Sequence, residues 1–233
     1  MGNCSNIAVP DVNSSKPRWT HAVQFRDEFL RDKISAFSLG FRPINNNTVE
    51  LVGSETNKID GARWSRGFSS GRHVIEFIYP VHLRTEGARV GLGTKCTILG
   101  GNDVTNIVGG QGSLAVDLVT KKVIQNNKVV ARFPRNKVLP DWFFMYLDID
   151  NGTMQFGSDT EFFGTAFSGV MPTDEPLYPI VTGSKKGAII SIVYRGKGKD
   201  IEGPLRKNRS RKISNLANSL TSDSKSYKLA LMR

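Results

Sequence analysis

Between Asp141 and Val170 the chain alternates apolar and polar positions with a period of two. Asn151-Gly152 stands between two such runs, and Asn-Gly is the dipeptide that most readily adopts the paired positive φ angles of a type I′ turn. The pattern predicts a two-residue loop with Asp150 opposite Thr153, Ile149 opposite Met154, Leu147 opposite Phe156 and Met145 opposite Ser158. Met145, Leu147, Ile149, Met154 and Phe156 then share one face, and Phe144, Tyr146, Asp148 and Gln155 the other. A third alternating run, Phe163, Thr165 and Phe167, follows at once. A three-stranded unit with one apolar face needs a second sheet to cover it. This excludes helical and doubly wound folds and predicts an all-β, antiparallel two-sheet sandwich with Leu147, Ile149, Phe156 and Phe167 buried.

Other β-rich runs lie at Ala36–Phe41, Thr48–Val52, His73–Tyr79, Ala88–Gly93, Leu114–Leu118, Lys122–Gln125, Val129–Phe133, Leu177–Val181 and Ala188–Tyr194. Clusters of Gly, Asn, Pro and Ser separate them, and Asn45–Asn47 and Asn126-Asn127 suit hairpin loops. Only Trp19–Leu39 has some helical spacing (Val23, Phe25, Phe29), predicting a short helix or an irregular edge. The organisation expected is a terminal segment over residues 1–18, one sandwich over 19–196 and a tail over 197–233.

Charge separates the tail from the domain. From Arg195 onward eleven basic residues face Asp200, Glu202 and Asp223, a net of +8, so the first 194 residues carry only +3 of the total +11. Such a tail suits anionic partners, but only Tyr227 interleaves an aromatic ring with the basic residues, so nucleic acid is not the expected partner. Two cysteines, Cys4 and Cys96, are too few for a disulfide framework. The chain has no apolar run of about 18 residues and no signal-peptide pattern, so a cytoplasmic protein is expected. Gly2 is a myristoylation candidate and Cys4 a palmitoylation candidate, although Asn6 stands where Ser or Thr is preferred. Two lipid signals would associate the chain with a membrane surface.

Catalytic chemistry is not indicated. His21, His73 and His82 form no metal-ligand spacing, and His73, inside a β run, reads as a satisfied structural histidine. Asp148 and Asp150 flank a turn, where carboxylates usually accept local backbone hydrogen bonds. Gly91–Lys95 and Gly109–Gly112 lack the strand, Gly-Lys-Ser/Thr and helix arrangement of a phosphate loop. The reading is a non-enzymatic chain with no catalytic residues, no metal and no cofactor.

Several motifs carry a resemblance. Leu147-Asp148 through Gly152-Thr153, then Gly164 to Phe167, then Leu177-Tyr178-Pro179 resemble the SPRY domain of the SPRY-domain SOCS-box proteins. Gly71 to Glu76 is similar to that family's glycine-x-histidine-x-tryptophan-glutamate strand, with Ile75 in place of tryptophan. Val90 to Thr94 is similar to its valine-glycine-valine-x-threonine strand. The resemblance covers about residues 36–196. It implies a bent two-sheet sandwich that binds peptide segments of other proteins with loops at one end. It also implies a C-terminal box that recruits elongins B and C and a cullin, making the protein a substrate receptor for ubiquitin ligation.

The chain departs from that family where the peptide pocket lies. Its arginine and proline are replaced by Val52 and Ser54, its tyrosine by about Val104, and its valine-tryptophan-glycine turn by Ser184, Lys185 and Lys186. Partner proteins are therefore expected on the loops Val52–Thr56, Val104 and Ser184–Lys186, with acidic segments favoured by the two lysines. In the tail, Leu205 and Ile213 stand where the family has its elongin-binding apolar residues, while Arg209 replaces a cysteine. As a helix, Leu205, Ile213, Leu216, Ala217 and Leu220 would form a stripe of about 120° with Arg209 inside it. A guanidinium in an apolar groove is costly without a carboxylate partner, so either the box is degenerate or its partner supplies an acid. The competing function is a peripheral membrane adaptor, held by Gly2 and Cys4 with the basic tail lying as a helix on anionic lipid.

Overall fold

The computed structural model describes residues 15–24, 26–53, 58–102, 105–134 and 136–199. The strands in chain order begin with β1 (Val23–Gln24), β2 (Ile34–Phe37), β3 (Phe41–Pro43), β4 (Thr48–Leu51) and β5 (Asp60–Trp64). There follow β6 (Arg72–Ile78), β7 (Arg89–Gly93), β8 (Leu114–Asp117), β9 (Lys122–Gln125) and β10 (Lys128–Arg132). The last are β11 (Trp142–Asp148), β12 (Thr153–Gly157), β13 (Phe162–Ser168), β14 (Tyr178–Gly183) and β15 (Ile189–Gly198). Every pairing between them is antiparallel. One sheet runs β13-β12-β11-β6-β15-β4-β3, with β1 added on β15; the other runs β10-β9-β8-β7-β14-β5-β2. The two close on a core that includes Ile75, Phe77, Phe143, Met145, Leu147 and Phe156, all buried completely. The expected sandwich is therefore the fold.

The hairpin differs in register from the expectation. Asp148, not Asp150, lies opposite Thr153, and Leu147 faces Met154, so the loop is Ile149–Gly152. The Asp148 carboxylate accepts hydrogen bonds from the Asn151 backbone N–H at 3.0 Å and side-chain amide at 2.8 Å, while Gly152 N–H donates to the Ile149 carbonyl at 3.2 Å. These bonds stabilise a four-residue loop in which Gly152, at φ +61°, has positive φ and Asn151 does not. A type I′ turn would need both. The slip is two residues, and an even slip leaves each side chain on its expected face. Ile149 pays a small consequence: it sits in the loop and is half-buried rather than buried. The two-residue hairpin with paired positive φ occurs instead at Asn126 (49°) and Asn127 (66°), between β9 and β10.

Other departures have equally local causes. Trp19–Leu39, expected as a short helix or an irregular edge, takes the irregular form: two 3-10 turns, Arg18–His21 and Asp27–Arg31, with short strands after each. The run Ala36–Phe41 is broken at Gly40, whose N–H donates to Asp60 at 3.1 Å; a Cβ there would lie 2.0 Å from the same carboxylate. Strand β5 has no alternating pattern because Asp60, Gly61, Ala62 and Trp64 are all buried, so both faces are covered and the period of two vanishes. The outer face of β11 is also covered: Trp19 meets Tyr146 edge-on at 6.3 Å, with Val74 beside them. Beneath that cover Glu76 is almost wholly buried and pairs with Arg195. Desolvation raises the Glu76 pKa against the lowering effect of Arg195.

His73 is a satisfied core histidine. Its ring nitrogens lie 2.8 Å from Tyr194 Oη and 2.8 Å from the Ser70 carbonyl, and it stacks on Phe68 at 3.9 Å. Burial lowers its pKa to about 4, whereas the unfolded imidazole titrates near 6.5. Between these values the unfolded chain binds a proton that the folded chain refuses. The stability this group contributes is thus complete above pH ~6.5 and is lost as pH falls toward 4. Urea unfolding at pH 7.5, 6 and 5 is expected to show wild type losing more stability with acid than His73→Gln. Parallel losses in the two proteins would contradict this origin.

Candidate functional site

Three connections converge at one end of the sandwich. Strand β4 ends at Leu51 and runs into Val52-Gly53; β14 turns into β15 through Ser184–Gly187; and β6 passes to β7 through Val81–Gly87. Leu51 and the turn are tied by two backbone bonds, Gly187 N–H to Leu51 O at 2.7 Å and Leu51 N–H to Ala188 O at 2.8 Å. Gly53 takes φ +97°, and a Cβ there would lie 3.5 Å from the Lys186 stem. Ser184 Oγ lies 2.9 Å from Thr85 Oγ1 and donates to the Glu86 carbonyl at 2.9 Å. Lys185 Nζ donates to the His82 carbonyl at 2.9 Å.

The Val81–Gly87 connection is itself anchored by a buried arginine. Arg84 donates from Nε and Nη2 to the Tyr79 carbonyl, from Nη1 to Leu139 O at 2.5 Å and from Nη2 to Pro140 O at 2.6 Å. Its guanidinium lies 5.6 Å from the Tyr79 and Phe143 rings. Burial lowers its pKa to about 10, still well above neutrality. The cation is thus a fixed strut beneath the loop, holding the groups that orient Ser184 and Lys185.

Of the residues expected at this end, Val52, Ser184, Lys185 and Lys186 are brought together, Val52 and Ser184 half-buried and the two lysines exposed. Ser54, Thr56 and Val104 lie outside the described residues, as do Gly2, Cys4, Leu205, Arg209 and Ile213. Sequence reasoning missed the supporting partners Thr85, Glu86 and His82. They reach Ser184 and Lys185 from 98 to 103 positions away, and no local pattern marks such a contact. Chemically, the end offers the exposed Lys185 and Lys186 ammonium groups beside the half-buried Val52.

Residues 76–196 match the model of the SPRY domain. The chain belongs to the SPRY domain family. An F-box/SPRY domain-containing protein 1 from Xenopus tropicalis is 30% identical over 174 residues, covering 72% of this chain and 57% of that protein. Its counterpart from Homo sapiens is 29% identical over 200 residues, covering 82% and 65%. The chain thus spans less than two thirds of the length of these relatives. The crystal structure of the SPRY domain of human HERC1 superposes with a TM-score of 0.52 at 15% identity, covering 72% of this chain and all of that one. The TRIM65 PSpry domain superposes at 0.51 and 14% identity, covering 70% and 90%. These structures share the fold. The relatives named here are F-box/SPRY proteins rather than SOCS-box proteins, so the expected kinship narrows to the SPRY domain, a protein-interaction module.

Proposed function

We propose that this SPRY domain is the client-binding part of a ubiquitin-ligase substrate receptor, and that it takes acidic segments of its clients at the loop end. The observation that carries the reading is the Ser184–Lys186 turn. Its two exposed lysines are held beside Val52 by bonds to two other loops, so the charge is displayed on a rigid base. A preorganised ammonium group such as that of Lys185, bonded to the His82 carbonyl, gains more from a carboxylate partner than a mobile one, since less side-chain freedom is lost on contact. The F-box/SPRY relatives support the ligase setting.

Affinity capture of the full chain tests both halves. Lys185→Glu with Lys186→Glu is expected to lose acidic clients about tenfold or more, with slower association and a flatter salt dependence, while a cullin scaffold is still recovered. An unchanged client set would overturn the loop assignment; loss of the scaffold alone would not. Recovery of elongins B and C with that cullin would assign scaffold binding to the tail segment bearing Leu205, Arg209 and Ile213.

A further inference from the structure

The end of the sandwich opposite Lys185 carries an open groove of about 460 Å³. Its floor is Phe68 and Leu177, whose backbones exchange two hydrogen bonds of 2.9 Å, with the half-buried Ile149 and Met171 beside them. Its rim carries Asp150, Asp174 and Glu175, all exposed, and Val170, which is 88% exposed. Asp150 is held in place by accepting the Gly71 N–H at 2.9 Å. Among the described residues no lysine, arginine or histidine lines the groove. An acid-rimmed apolar groove in a chain of net charge +11 draws cationic segments, as complementary potentials do at interfaces.

The same end is where the chain leaves the sandwich. Lys197 pairs with His73, which stacks on the groove residue Phe68, and the Lys197 stem approaches Gly71, the partner of Asp150. Lys199 N–H is then tied to Ala22 O at 3.2 Å. Beyond it the sequence continues with Leu205-Arg206-Lys207-Asn208-Arg209-Ser210-Arg211-Lys212-Ile213, which lies outside the described residues. Five cations stand in seven positions there, with an aliphatic residue on each side. The five residues 200–204 span up to roughly 17 Å when extended, enough to bring this run across the rim.

We propose that the groove holds the chain's own segment 205–213. Basic side chains meet Asp150, Asp174 and Glu175, and a flanking aliphatic residue covers the floor of Phe68 and Leu177. Each exposed ion pair is weak by itself. The tether raises the local concentration of the segment to the order of millimolar, which makes several weak pairs sufficient. The contact is independent of the client surface at the other end and stands whether or not that reading holds.

Trypsin cleavage of the full chain tests this. In the Asp174→Asn, Glu175→Gln variant the bonds after Arg206 to Lys212 are expected to be cut roughly fivefold faster than in wild type, the scale of two exposed pairs. Cleavage at Lys185 and Lys186 should be unchanged and serves as the control. Raising salt to about 0.5 M should abolish the difference, since exposed pairs are then screened. Equal tail cleavage in the two proteins at low salt overturns the proposal. Protection that increases with protein concentration also overturns it, by placing a second copy's tail in the groove.

Discussion

Arg84→Ala is expected to destabilise the protein by about 3–5 kcal/mol. The guanidinium serves three backbone carbonyls, those of Tyr79, Leu139 and Pro140, and Tyr79 and Leu139 are among the most buried residues. Each buried acceptor left without a donor costs about 1–3 kcal/mol, and the lost stem adds its packing. Arg84→Lys should recover only part, because one ammonium cannot reach three carbonyls arranged for a planar fork. Denaturant unfolding measures both, and a loss below about 1 kcal/mol for Arg84→Ala would show that water replaces the strut. The variant should also weaken client binding, since the Val81–Gly87 connection orients Ser184 and Lys185.

Leu147→Ala should cost about 2–5 kcal/mol, the range for deleting a fully buried leucine. Leu147 is the penultimate residue of β11, opposite Met154 on one side and His73 on the other, with no exposed surface. Strand β11 pairs with both neighbours in unbroken register, so the site has little room to collapse and the upper half of the range is expected. Chemical denaturation is the measurement. Ile149→Ala, two positions along in the half-buried loop, provides the contrast: it should cost visibly less. Equal losses would mean that the loop packs as tightly as the strand.

The candidate binding end was legible only in part. Val52 and Ser184–Lys186 stand out in the sequence only by alignment with the binding loops of a similar family, and the fold does bring Val52 to the lysines. What made the turn rigid was not visible. The bonds from Ser184 to Thr85 and Glu86, and from Lys185 to His82, join segments about a hundred residues apart, and the arginine beneath them reads in sequence as one more surface charge. The acid-rimmed groove was equally hidden, because Phe68, Asp150 and Glu175 become neighbours only when strands from both sheets end together.

The alternating runs by themselves determined the sandwich, because a strand with one apolar face has no stable state except against another such face. They also determined which residues point inward, since side-chain direction along a strand repeats every two residues regardless of its partner. Turn type was beyond them. Asn151-Gly152 has the composition of a tight hairpin, yet the Asp148 carboxylate bonds Asn151 and stabilises a wider loop, while Asn126-Asn127 takes the tight form. Strand β5 and the covered outer face of β11 were also decided in three dimensions. Burial on both faces erases the periodic signal, and Trp19 reaches Tyr146 across 127 positions of sequence. Local pattern reports what a residue needs; only the assembled sheets decide which distant segment supplies it.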